Sequence, residues 1–139
     1  MMLFNNLGVL KVKTSNKKTI LLIDDDDQFR KFMHELLTEK NFEVVVAENG
    51  ETGLAHYLSE KPDLIITDIV MPEKEGIGLV IAIRDSDSST PIIAVSGGNL
   101  GNADSYLDMA KKLGVNATLT KPFSADDILK EIHYLLSED

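Results

Sequence analysis

Four carboxylates follow four apolar residues without a break in ILLIDDDD, residues 20–27. A like-charge cluster at the edge of a buried strand raises the free energy of its ionised form unless a cation or a proton relieves it. Oxygen ligands of this kind suit a hard cation such as Mg²⁺, which takes one or two carboxylates, keeps several waters and often completes its shell with a phosphate. The same run could instead be a solvated, acidic helix start. A further acid, Asp68, ends the apolar run DLIITD (63–68). A carboxylate beside a metal can attack phosphorus and become an aspartyl phosphate, although Asp68 could also be a simple cap. Ser96 ends PIIAVS (91–96) and Lys121 follows ATLT (117–120). A transferring phosphoryl group needs its equatorial oxygens neutralised, and a hydroxyl and an ammonium can each take one. Neither residue is informative alone; what matters is whether the fold brings them to one place.

The elements that would do so are legible in the apolar pattern. Short apolar runs at 19–24, 42–47, 63–68, 91–96 and 117–120 alternate with helical stretches at 27–40, 49–60, 76–85, 103–113 and 124–137. The last helix shows Ile128, Ile132, Leu135 and Leu136 at helical spacing, with Asp126 and Asp127 in its first turn, where the macrodipole favours acids. Gly114 stands where a C-cap glycine belongs, and Pro91 and Pro122 fall outside helix interiors. Five strands alternating with five helices predict an α/β, doubly wound parallel sheet covered on both faces. In such a sheet ligands bind beyond the carboxyl ends of the strands. Asp24 with Asp25, Asp68, Ser96 and Lys121 all fall at those ends.

At 139 residues the chain has room for one sizeable core, and the expected division is an N-terminal extension, 1–18, followed by one domain, 19–139. The extension holds Lys11, Lys13, Lys17 and Lys18 and no acid; a short, flexible, solvated tail is expected there. Its apolar Met2, Leu3, Phe4, Leu7, Val9 and Leu10 could pack on the domain or on a neighbour. Residues 19–139 carry 10 basic against 23 acidic side chains, a formal charge of −13, which repels phosphate backbones and argues against direct nucleic-acid binding. No apolar run approaches the roughly 20 residues of a membrane span, and the start is a poor secretion signal. The absence of cysteine fits a cytoplasmic location. His34, His56 and His133 lack ligand spacing and receive no role.

The sequence resembles the receiver domain of two-component response regulators over residues 19–139. The acidic pair after the first strand corresponds to Asp24 and Asp25, and the phosphoacceptor of the D-x-x-M-P-x-x-x-G pattern to Asp68 in DIVMPEKEG. The strand-end hydroxyl corresponds to Ser96 in AVSGG and the lysine of the K-P-F signature to Lys121 in TKPF. The resemblance implies a (βα)5, flavodoxin-like sheet with strand order 2-1-3-4-5. It implies Mg²⁺ held by Asp24, Asp25, Asp68 and the backbone carbonyl of Val70, and a cis Lys121–Pro122 bond. The implied function is a cytoplasmic, stand-alone switch, not an enzyme, that takes phosphoryl onto Asp68 from a histidine kinase or histidine phosphotransfer protein and so changes its protein contacts. The usual contact surface of the family, the fourth helix with the fifth strand and helix, makes Tyr106 and Tyr134 candidates for exposed aromatics.

Three positions depart from the family pattern. Thr118 replaces the aromatic three residues before the lysine, the loop after Ser96 is rich in glycine, and Glu75 replaces the commoner aspartate before Gly76. Without a ring at position 118, signalling is expected to rely on residues 97–102 and the helix that follows. Two other classes are the alternatives, the second disfavoured because every required side chain is present. A haloacid-dehalogenase-like aspartyl-phosphate phosphatase would want D-x-D-x-T, but Gln28 stands at the threonine position; a pseudo-receiver would bind partners without phosphorylation. An FMN-binding flavodoxin is disfavoured, because its phosphate-cradling loop would here be four aspartates.

Overall fold

The computed structural model describes residues 2–4, 10–12, 16–69, 75–97 and 103–137. Two short strands, β1 (Met2–Phe4) and β2 (Leu10–Val12), pair antiparallel as a ribbon of their own within the stretch expected to be a tail. The main sheet has five parallel strands: β3 (Thr19–Ile23), β4 (Glu43–Ala47), β5 (Leu64–Asp68), β6 (Ile92–Gly97) and β7 (Ala117–Lys121). Their spatial order is β4-β3-β5-β6-β7. Counting only these five strands, that is the expected 2-1-3-4-5.

Helices α1 (Asp27–Glu39), α2 (Gly50–Glu60), α3 (Glu75–Arg84), α4 (Ala103–Lys112) and α5 (Ala125–Leu136) supply the crossovers. Strand periodicity decides which face each residue serves. Ile20, Leu22, Ile66, Ile93 and Val95 pack with Met33 and Leu37 of α1 and Ile128 and Ile132 of α5. Leu21, Ile23, Ile65, Ile92 and Ala94 pack on the other face with Ile77, Val80 and Ile83 of α3 and Leu107 and Ala110 of α4. Both faces of the central strands are therefore dry, as an all-parallel sheet requires.

Caps set the helix ends. Ser124 and Asp127 form a reciprocal capping box at α5, and the Asn49 side chain accepts from the Thr52 N–H at α2. Gly114 takes φ +102° just after α4, a conformation that a residue with a Cβ adopts only at a cost.

A polar lock closes the end of the sheet where the strands begin. Arg84, the last residue of α3, donates Nε to the Gly114 carbonyl (3.0 Å), Nη1 to the Asp87 carbonyl (2.9 Å) and Nη2 to the Thr90 carbonyl (2.7 Å). Nη2 also reaches Asn116 Oδ1 at 3.1 Å, the same oxygen that accepts the Ile92 N–H at 2.9 Å. Asp87 accepts from the Thr90 hydroxyl (2.6 Å), the Tyr57 hydroxyl (2.5 Å) and the Ser89 N–H (2.8 Å).

Those bonds, with the Thr90 hydroxyl first, hold the Asp87 carboxyl well below the usual carboxylate range. A depressed folded-state pKa gives stability that is complete above the unfolded value of about 4 and fades as pH falls below it. Asp87→Ala is expected to cost about 1–3 kcal/mol at pH 7, because the Tyr57 and Thr90 hydroxyls left behind are half-buried. Urea denaturation should show the gap between variant and wild type narrowing as pH drops from about 5 toward 2; a pH-independent gap would remove the electrostatic part of this account.

Candidate phosphoryl-transfer site

The four aspartates of residues 24–27 divide the work between the site and the helix. Asp24 is fully buried at the end of β3, and its Oδ1 accepts the Asp26 N–H at 2.9 Å. Asp25 is exposed. Asp26 is the N-cap of α1, its Oδ1 accepting from the Gln28 and Phe29 N–H groups at 3.0 and 3.2 Å. Asp27 opens the helix and pairs with Arg30. Both readings of the acidic run therefore apply, to different residues: two carboxylates face the rim and two start the helix.

Asp68 ends β5 and is buried; the neighbouring Thr67 hydroxyl donates to the Asp68 carbonyl at 3.0 Å. One ligand oxygen from each of Asp24, Asp25 and Asp68 lies within 4.8 Å of the other two, a spacing at which the three can share one cation. Lys121 at the end of β7 reaches across the sheet. Its Nζ is 2.6 Å from Asp24 Oδ2 and 3.4 Å from Asp68 Oδ2. Burial pushes the Asp24 carboxyl above its ordinary pKa, against the pull of Lys121 and the Asp26 N–H and with a further push from the Asp25 charge. Three carboxylates against one ammonium leave the rim in need of positive charge.

Ser96, at the end of β6, is fully buried, and among the described residues its Oγ has no hydrogen-bond partner. Buried hydroxyls are almost always satisfied, so this one is a donor available to a group bound at the rim. The donor set and this hydroxyl together fit a hard cation and a phosphoryl group.

The carboxyl ends of β3, β5, β6 and β7 thus deliver Asp24, Asp25, Asp68, Ser96 and Lys121 to one rim, while Val70 lies outside the described residues. The Lys121–Pro122 peptide bond is cis. Thr118 is half-buried on β7 beside Ala94 of β6, with no ring to rotate. Residues 98–102, expected to carry the signal in its place, also lie outside the described residues. Tyr134 is 61% exposed on α5, whereas Tyr106 is half-buried against the core.

Two contributors were not legible in the sequence. Arg30 Nη1 donates to the Asp24 carbonyl at 2.7 Å, fixing the backbone that carries the acidic pair. The Phe29 ring lies under the Lys121 ammonium, 4.0 Å from Nζ to the ring centroid. Their positions, five and six residues beyond Asp24 on the first turns of α1, were the available signal.

A family model for the response regulator receiver domain matches residues 20–133. The chain belongs to that family. Receivers similar to it include the chemotaxis protein CheY of Bacillus subtilis (strain 168), 35% identical over 119 residues, which cover 85% of this chain and 97% of the relative. The probable transcriptional regulator ycf27 of Cyanophora paradoxa is 34% identical over 87% of this receiver, which spans 49% of that longer protein. Among solved structures, a putative response regulator from Chloroflexus aurantiacus J-10-fl superposes with TM-score 0.80 at 25% identity, covering 88% of this chain and all of the other. Among the described residues of the receiver no helix is long and apolar enough to cross a membrane.

Proposed function

We propose that this receiver is a Mg²⁺-dependent phosphorylatable switch whose acceptor is Asp68, acting in the cytoplasm. In this reading residues 19–139 form the receiver and residues 1–18 an extension to it. The observation that carries it is the buried Ser96 hydroxyl, which lacks a partner among the described residues, on the rim where Asp68 and Lys121 meet. Asp24, Asp25 and Asp68 would hold the ion, and Mg²⁺ would neutralise the carboxylates and polarise the phosphoryl oxygens.

An Asp68 carboxylate oxygen attacks phosphorus, and the bond from phosphorus to an imidazole nitrogen of the donor breaks. The electron pair stays on that nitrogen, which takes up a proton from water. Ser96 donates its hydroxyl proton in a hydrogen bond to one phosphoryl oxygen, and the Lys121 ammonium faces another. The donor is a histidine kinase or histidine phosphotransfer protein, and the output is a changed set of protein contacts. The chain is a phosphoacceptor that assists its own modification rather than an enzyme turning over a foreign substrate.

Intact-mass spectrometry after incubation with acetyl phosphate tests this. A gain of one phosphoryl group is expected with Mg²⁺, removed by hydroxylamine as an acyl phosphate should be and absent when EDTA replaces the ion. No gain, or multiple-turnover hydrolysis of an added phosphoester, would overturn the reading.

A further inference from the structure

We propose that Phe29 is a positioning residue: its ring face holds the Lys121 ammonium at the rim, between Asp24 and Asp68, where it can meet a phosphoryl oxygen. The inference rests on the reading of Lys121 as the phosphoryl-binding cation. The ammonium has three neighbours: Asp24 Oδ2 at 2.6 Å, Asp68 Oδ2 at 3.4 Å and the Phe29 ring at 4.0 Å. A ring face attracts a cation through its quadrupole without neutralising it or offering a lone pair.

The ring is itself held in place from two sides. The Phe29 N–H is fixed by the Asp26 cap, and the ring meets Phe123 edge-on, with centroids 5.8 Å apart and planes at 85°. Phe123 follows Lys121 by two residues, so the connection just past the ammonium also braces the ring beneath it. Phe29 is half-buried and packs against the α1/α5 side of the core, so an alkyl side chain of similar bulk can fill its place.

Such an alkyl group offers the ammonium no attraction. Lys121 would then settle on Asp24, the carboxylate that the metal ion also needs, and withdraw from the space beside Asp68. Phe29→Leu is therefore expected to weaken Mg²⁺ binding by about threefold and to slow labelling by acetyl phosphate by about threefold to tenfold. Phe29→Tyr, which keeps the ring face, should behave as wild type. Phe29→Met repeats the alkyl replacement with a side chain that adapts to irregular gaps, should the leucine variant fold poorly.

Two further measurements separate positioning from packing. In the metal-free protein the Lys121 ε-methylene protons should be shifted upfield by the ring current in wild type and Phe29→Tyr, and not in Phe29→Leu. In a Lys121→Met background, Phe29→Leu should produce no additional slowing of the residual labelling. Equal slowing with and without the ammonium, or lysine shifts unmoved by loss of the ring, would overturn the proposal. Wild-type labelling by Lys121→Met alone would instead overturn the functional reading on which it rests.

Discussion

Asp68→Asn should take up no phosphoryl group from acetyl phosphate while folding normally. The amide keeps the shape of the carboxylate at the end of β5 but has no anionic oxygen to attack phosphorus. It also removes one of three carboxylates whose ligand oxygens crowd within 4.8 Å, so repulsion at the rim falls. Without added Mg²⁺ the variant should be more stable than wild type by about 1 kcal/mol, even though Lys121 loses its 3.4 Å partner, because the 2.6 Å contact to Asp24 remains. Intact-mass spectrometry reads the first effect and urea denaturation the second. The Mg²⁺-induced rise in melting temperature should shrink in parallel, since one ligand is gone. Undiminished labelling of this variant would move the acceptor to another carboxylate.

Gly76→Ala should be among the most damaging single-methyl additions in the chain. A Cβ at Gly76, on the first turn of α3, would lie less than 3 Å from the Asp68 carbonyl oxygen, the Ile69 Cα and the Ile69 carbonyl carbon. These are backbone atoms at the end of the central strand and cannot swing aside as a side-chain tip would, so the helix start must lift away. A loss of about 2–4 kcal/mol is expected, lowering the thermal midpoint by roughly 10 °C. Gly78→Ala is the internal control, because a Cβ there meets nothing within 4 Å. That substitution should stabilise by about 0.5–1 kcal/mol through helix propensity alone. The required close approach explains why the D-x-x-M-P-x-x-x-G spacing ends on glycine: the residue that terminates the pattern lets α3 sit directly on the strand end that carries Asp68.

The sheet was legible because its signal is long-range and redundant. The five apolar runs coincide with the five strands to within a residue at either end, and the crossover helices follow. The β1/β2 ribbon was not legible, since two three-residue strands are too short to display a period. At the site, strand ends plus a parallel topology were enough to bring Asp24, Asp68, Ser96 and Lys121 to one rim. Within the acidic run, Asp24 and Asp25 were singled out by the family resemblance alone, because consecutive residues leaving a strand point in directions set by the turn; the cap made by Asp26 and the pairing of Asp27 with Arg30 came from the structure. The roles of Phe29 and Arg30 were hidden for a related reason: a phenylalanine and an arginine on an amphipathic helix read as ordinary core and surface. The role of Arg84 was hidden as well: a cation in a last helical turn is favoured by the dipole whatever else it does, and only the fold shows the carbonyls that it gathers.

That arginine gives the molecule a fulcrum. Through one guanidinium the C-terminal end of α3 is tied to the carbonyl that follows α4, to the loop entering β6 and to the residue before β7. The tie sits at the opposite end of the strands from Asp68. The C-terminal ends of α3 and α4 therefore share one bearing, at the far end of the sheet from the acidic rim.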